Sequence, residues 1–130
     1  MTPAAAVAML DRQLAKHGED IVLQRIVGTQ NQAVVEVEVR AHVRGYSPEE
    51  LIAGSGLTQQ DVKIILSPTQ IEAAQWPGGT PDPTVTDKRV PVRNDRVLRN
   101  GRAYAVQAST GFYPDGELVR IELQARGGPG

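Results

Sequence analysis

The feature that most constrains this chain is a regular alternation of side chains between residues 33 and 44. Alanine and valine fill every odd position from 33 to 43, and Glu, Arg and His fill every even position after Val34. A period of two places one set in a core and the other in water, which is typical of a strand in an antiparallel sheet. A slip of one residue would bury the charged set, so the sequence specifies the register of this strand firmly.

Other segments with the same period flank this strand. Residues 21–27 and 61–66 predict two more strands, and residues 29–32 form a turn that makes a hairpin of the first pair. Asn100-Gly101 and Asp115-Gly116 each lie between strand-forming segments, and such dipeptides favour tight hairpin turns. We therefore predict a mainly β fold of five or six short strands. It would be a small antiparallel β-barrel or sandwich with long irregular loops.

An amino-terminal helix is predicted over about residues 3–17. Thr2-Pro3 is typical of a helix start, because threonine caps free amides and proline is tolerated in the first turn. The apolar stripe of this helix is narrow and consists of Val7, Leu10 and Leu14. We expect a helix that packs weakly on its own domain or docks against something else.

Two shorter helical segments are predicted inside the chain. Ser47 can cap one helical turn, and Glu49 and Glu50 then lie at the positive end of its dipole. Ser67-Pro68 opens another short helix that continues through Ala74. Trp76 follows it, and we expect this side chain to fix the end of the helix to the core.

The segment from about 77 to 92 keeps no period at all. It carries prolines at 77, 81, 83 and 91 and paired glycines at 78 and 79. Each proline removes a backbone donor and fixes its own φ, so this stretch cannot join a central sheet. Loops of this length in a compact domain are usually functional or disordered. We expect this loop and its edges to carry the function.

Composition narrows the classes of function. With 130 residues, a net charge of −1 and no cysteine, the chain is predicted to be one domain, residues 1–130, without disulfides or thiolate metal sites. A pI of about 6.1 argues against a typical nucleic-acid binder, which would carry a basic stripe. We expect no membrane span, because no apolar run approaches ~18 residues. The first residues lack the basic segment of a signal peptide.

Catalytic chemistry is not expected from these residues. His17 at the helix end is best interpreted as complementing the helix dipole. The serines at 55 and 67 have no evident base, and no glycine segment has the lysine of a phosphate loop. We therefore predict no enzyme activity, no cofactor and no metal site. A ligand-binding barrel has little support from only five aromatic residues.

Two charged groups stand out as candidate contact surfaces. The first is the row on the alternating strand, which is either a solvated face or a subunit interface where charges set the register between neighbours. It comprises Glu36, Glu38, Arg40, His42 and Arg44, with Glu49 and Glu50 close behind. The second is a basic patch from Lys88 to Arg102, either solvated or facing DNA or an acidic protein. Its candidate residues, with those of the irregular loop, are Asp82, Asp87, Lys88, Arg89 and Arg93.

Several segments, taken in order, resemble the small head-closure or head–tail joining proteins of long-tailed bacteriophages and gene transfer agents. They are L-A-K-H-G-E-D-I-V-L-Q-R at 14–25, R-G-Y at 44–46, D-V-K-I-I-L-S at 61–67, Trp76-Pro77, N-D-R-V-L-R-N-G-R-A-Y-A-V-Q-A at 94–108 and G-E-L-V-R-I-E-L-Q-A-R-G at 116–127. The resemblance covers most of residues 10–127. Asn94-Asp95 departs from the Gly-Asp that family members often have.

This resemblance implies a structural protein of the virion neck, assembled in the host cytoplasm. Family members form rings of six or twelve copies beneath the portal and adaptor rings, and the tail terminator or tail tube attaches below. A long loop projects towards the channel and helps to retain packaged DNA. In this chain the loop would be either 47–58 or 77–92. The alternatives are a tail-terminator-type ring protein and a stand-alone barrel that binds a small ligand or peptide.

Overall fold

The computed structural model describes residues 2–28, 30–53, 58, 60–78 and 87–127. In chain order its elements are α1 Pro3–His17, β1 Glu19–Val27, β2 Ala33–Gly45, α2 Pro48–Ala53, β3 Asp61–Leu66, α3 Thr69–Ala74, β4 Arg96–Arg99, β5 Arg102–Phe112, a single 3-10 turn Pro114–Gly116, and β6 Arg120–Gly127.

The strands close into one antiparallel barrel in the order β1-β2-β3-β6-β5-β4, with β4 paired back to β1. The prediction of a mainly β fold with an amino-terminal helix is confirmed, and of the two predicted architectures the barrel is the observed one. Three of the contacts between neighbouring strands are hairpins, β1–β2, β4–β5 and β5–β6. The β1–β4 pairing closes the barrel and joins Leu23 to Val97, residues far apart in sequence.

Aliphatic side chains fill the interior of the barrel. The alternation on β2 is confirmed, because Val37, Val39 and Ala41 are buried and their even-numbered neighbours face outwards. Ala33 departs from the pattern, because this odd position at the start of β2 is exposed, and the outward Val34 beside it is 57% exposed. The fully buried aliphatic side chains come from every strand and from α3; they are Ile21, Leu23, Val39, Ala41, Ile64, Leu66, Ile71, Val97, Val106, Ile121, Leu123 and Ala125. Each of the buried Val, Leu and Ile side chains contributes on the order of 1.5–3 kcal/mol to stability.

Helix α1 starts as its sequence predicts and packs against β2 through its carboxyl end. Thr2 Oγ1 accepts a hydrogen bond from the Ala5 amide at 3.1 Å. Leu14 is the buried residue of the helix, which agrees with its narrow apolar stripe. Gly18 ends the helix so close to β2 that a Cβ atom there would lie 2.7 Å from the Ala41 carbonyl oxygen. A side-chain-free residue is therefore required at this crossing.

The two predicted hairpin turns both occur. Asn100 and Gly101 have φ values of 51° and 77°, the positive pair that a type I′ turn requires, and they link β4 to β5. Asp115 and Gly116 link β5 to β6 through the 3-10 turn rather than through a two-residue turn. Strand β6 consequently begins at Arg120, later than the turn dipeptide alone would place it.

Trp76 holds the end of α3 against the barrel, as predicted. Its side chain is 3% exposed, and its indole Nε1–H donates a hydrogen bond to the Val35 carbonyl oxygen at 3.1 Å. The Arg25 guanidinium lies over the indole ring, 4.8 Å from its centroid. These contacts attach the segment after α3 to the β1–β2 hairpin.

Candidate functional site

The outward row of β2 is divided between exposed acids and cations that bind within the chain. Glu36 and Glu38 are exposed, and the Gln24 side-chain amide donates a hydrogen bond to Glu36 at 2.8 Å. His42 is exposed and lies opposite Ile65 of β3. The acidic half of the predicted contact row is therefore accessible to a partner.

Arg40, by contrast, attaches α1 to the barrel. Its Nε donates to the Leu14 carbonyl oxygen at 2.9 Å, and its NH2 group donates to the Ala15 carbonyl oxygen at 3.3 Å. These carbonyls belong to the last turn of α1, where the helix dipole favours a cation. Arg40 also pairs with Asp20 across the β1–β2 hairpin at 3.3 Å. The sequence pattern placed Arg40 in the contact row but did not reveal this attachment.

Arg44 and Glu50 bind each other at the amino end of the short helix α2. The Arg44 guanidinium donates to Glu50 Oε1 at 3.0 Å, and the Ser47 amide donates to the same carboxylate at 3.1 Å. In return, Ser47 Oγ accepts from the Glu50 amide at 3.3 Å, which completes a capping box. The bond from Arg44 is the main cause that lowers the pKa of Glu50 to about 2. Glu49 points into solvent and is exposed.

The described end of the irregular loop is held by an ionic cluster. Arg89 donates to both oxygens of Asp87, at 3.0 Å and 2.8 Å, and pairs with Glu72 of α3. Tyr113 donates its hydroxyl to Asp87 at 3.0 Å. Hydrogen bonding from Arg89 is the main cause that lowers the pKa of Asp87 to about 2. Arg89 is thus engaged by two carboxylates of its own chain.

Lys88 and Arg93 differ from Arg89 because both side chains are exposed and neither pairs with another described residue. Their predicted contact with DNA or an acidic neighbour stays a prediction. Asp82 lies outside the described residues, as do the other residues from 79 to 86, half of the 77–92 loop. The same is true of residues 54–57 in the 47–58 loop.

Two buried carboxylates that sequence reasoning missed are satisfied by the strands around them. Asp95 is 3% exposed, and it accepts two hydrogen bonds from Arg25 and a third from the Val92 amide at 2.8 Å. Asp61 is 1% exposed and accepts from Arg126 at 2.7 Å and from Gln124 at 2.9 Å. Burial opposes ionisation of Asp61, but these bonds outweigh it and hold its pKa below the usual range. Both carboxylates are structural.

A groove of about 800 Å³ runs along the outside of the barrel beside Trp76. Its walls include Val35 and Glu36 of β2, Gln75, and the basic residues Lys88 and Arg89. The groove is open and of mixed polarity, unlike the enclosed apolar pockets that small ligands prefer. It brings Glu36 of β2 and the basic residues Lys88 and Arg89 to one side of the molecule.

Among the described residues, no group of three or more His, Asp or Glu side chains is placed to bind a metal ion. None of the helices in these ranges combines the length and the apolar character needed to cross a bilayer.

No protein-family model matches the chain, and no curated protein matches it.

Proposed function

We propose that this chain is a structural ring subunit of a virion neck in a tailed bacteriophage or gene transfer agent. In this role it lies between the portal or adaptor ring and the tail. It closes the capsid after DNA packaging and offers the surface to which the tail attaches. The protein acts by assembly and not by catalysis.

The observation that carries the proposal is where the resembling segments lie in the fold. They coincide with β1, β3, β4, β5 and β6, with the end of β2 and with Trp76. They therefore cover all or part of five of the six strands and only the end of β2, in the chain order on which the resemblance to the head-closure family rests. A likeness confined to one hairpin would carry far less weight, since any small barrel contains hairpins.

The filled interior supports an assembly role over ligand capture inside the barrel. Small-ligand barrels enclose a cavity, whereas the inward side chains here pack against each other across the barrel axis. Ile21, Leu23, Ile64, Leu66 and Leu123 are each at most 1% exposed. Function is consequently assigned to the outer surfaces and loops.

The test is to delete the gene in the phage or gene transfer agent that carries it and to examine the particles. We expect full-sized heads that lose their DNA and carry no tails, together with free tails. Complementation with the wild-type chain should restore tailed particles. Quantitative mass spectrometry of purified particles should then find the chain at six or twelve copies.

Each alternative outcome has a clear meaning. Tailed, DNA-filled particles that lack this chain would contradict the proposal. Heads that keep their DNA while tails of irregular length accumulate would instead favour a tail-terminator role. A monomer whose melting temperature rises with a peptide or metabolite, and which is absent from particles, would favour the stand-alone binding barrel.

A further inference from the structure

Helix α1 has an exposed face on the side opposite Leu14, and Met9 at its edge also borders Val119 and Arg120. Met9 is 39% exposed, and Arg12 and Lys16 are exposed on the same side, opposite the buried Leu14. At 100° per residue these three positions lie within about 60° of one another around the helix axis. Neither Arg12 nor Lys16 pairs with another described residue. The helix therefore shows solvent an apolar residue followed by two cations.

The outward face of the β1–β2 hairpin has the same order of apolar and charged residues as α1, but its charges are negative. Ile26 pairs with Val34 near its tip, and these side chains are 47% and 57% exposed. Glu36 and Glu38 follow on the same face of β2, because outward positions recur every second residue. This face shows solvent an apolar pair followed by two acids.

The inward side of the β1–β2 hairpin is fixed to the rest of the barrel near its tip. Arg25 is bound to Asp95 through two hydrogen bonds and stacks on Trp76. Trp76 in turn binds the backbone of Val35. A rigid surface loses little conformational entropy on association.

The two faces are similar in length and opposite in charge. From Val34 to Glu38 the strand advances by about 13 Å. From Met9 to Lys16 the helix advances by about 10 Å. An apolar contact of Met9 with Ile26 and Val34 would thus bring Arg12 towards Glu36 and Lys16 towards Glu38.

We infer that α1 of one copy docks on the outward face of the β1–β2 hairpin of the next copy. The two faces differ, so the contact is head to tail, and such contacts close into rings when the rotation between copies permits. The inference deepens the proposed function and rests on it only for the setting, a ring in a virion neck. The partner is a second copy of this chain.

Engineered cysteines test the contact directly, because the wild-type chain contains none. A protein carrying Met9→Cys is mixed under mild oxidation with a second protein carrying Val34→Cys. We expect a disulfide-linked heterodimer. The matched control replaces the second protein with Thr110→Cys, an exposed position on the outer face of β5. Cross-linking to position 34 no greater than to position 110 would overturn the inference.

Charge reversal provides an independent test by sedimentation velocity at low ionic strength. The variants Arg12→Glu/Lys16→Glu and Glu36→Lys/Glu38→Lys should each weaken self-association by about tenfold or more. Mixing the two variants, or combining all four changes in one chain, should restore it. Failure of both to restore association would overturn the inference, because simple damage to α1 or β2 cannot be reversed by a second reversal.

The two proposals fail in different ways. Particles that contain the chain in the neck, but in which the paired cysteines at 9 and 34 do not cross-link, would remove the contact and keep the neck role. Specific cross-linking with restored charge-swap association, in a chain absent from particles, would remove the neck role and keep the contact.

Discussion

Arg25 and Asp95 form a two-bond ion pair that joins β1 to the residue just before β4. Arg25 Nε and NH2 donate to the two carboxylate oxygens at 2.9 Å and 2.7 Å. The pair lies beside the shortest strand of the barrel, at the junction where the chain returns from the irregular loop. Asp95 also accepts a hydrogen bond from the Val92 amide, and its own amide donates to the Val92 carbonyl oxygen in a turn. One carboxylate therefore links the end of the irregular loop to the strands that close the barrel.

Replacing Asp95 with Asn should destabilise the fold, because it leaves the Arg25 guanidinium facing an amide instead of a carboxylate. We expect a loss of about 2–4 kcal/mol in the free energy of unfolding, measured by urea denaturation. The matched control is Asp20→Asn, whose side chain is 63% exposed. That control should change stability by less than about 0.5 kcal/mol. Equal effects of the two substitutions would contradict the role assigned to Asp95.

Trp76→Phe keeps a ring in the same site but removes the donor to Val35 and weakens the stacking of Arg25. We expect a loss of about 1–2 kcal/mol by chemical denaturation followed with circular dichroism. Trp76→Ala should cost about 3–5 kcal/mol, because it also opens a cavity. A phenylalanine variant as stable as the wild type would show that the indole N–H contributes nothing.

Gly18→Ala should weaken the docking of α1 on the barrel. The added methyl group would lie 2.6 Å from the Leu14 carbonyl oxygen and 2.7 Å from that of Ala41, and both are backbone atoms. We expect a loss of about 1–3 kcal/mol and faster hydrogen exchange in α1. Gly45→Ala is the control, since nothing lies within 4 Å of its added Cβ atom. The control should be close to wild type.

Local patterns predicted most of the strands, because each depends on residues close in sequence. The alternation on β2 gave its inward and outward faces, and Asn100-Gly101 gave a turn with both φ values positive. The closure of the barrel could not be obtained in this way. It depends on pairing β1 with β4, and no local pattern of Leu23 or Val97 encodes that partner.

For the same reason, the sequence predicted the exposure of some candidate contact residues and did not reveal the internal bonds of others. Exposure of Glu36 and Glu38 follows from alternation, so sequence was sufficient to find them. The internal roles of Arg40 and Arg89 depend on Leu14 and Glu72, which reach them only through the packing of α1 and α3. For Arg89 there is a local signal, the Asp87-Lys88-Arg89 spacing, which lets the arginine side chain bind the aspartate two residues before it.

The pH dependence of stability should include a measurable part from Asp87. Its pKa is about 2 in the folded state, below its usual value of 3.8, because Arg89 and Tyr113 donate to the charged form. A depressed pKa stabilises the fold above the unfolded value and loses this effect as pH falls towards 2. Asp87→Asn should therefore be less stable than wild type at pH 7, and the difference should shrink between about pH 4 and pH 2.

Thermal denaturation across that pH range provides the measurement for Asp87. The control is Asp87→Asn made in an Arg89→Gln background, where the main source of the pKa shift is already absent. There the difference between Asp and Asn should be small at every pH. A difference that stays constant from pH 7 to pH 2 would contradict the assignment.

Lys88 and Arg93 are the residues with which to test the basic face in particles. Arg89 is unsuitable, because its reversal would place a carboxylate beside Asp87 and Glu72 and disturb the cluster that holds the loop. Lys88→Glu/Arg93→Glu should leave the free energy of unfolding within about 0.5 kcal/mol of wild type, since both side chains are exposed.

If these cations face DNA or an acidic ring, complementation of the gene deletion by this variant should yield fewer DNA-filled particles. The difference between this variant and the wild type should shrink at high ionic strength, because salt screens both the attraction of the wild-type cations and the repulsion of the introduced carboxylates. Lys88→Gln/Arg93→Gln should be intermediate, and full titres of infectious or transducing particles with the double reversal would show that this face contacts neither.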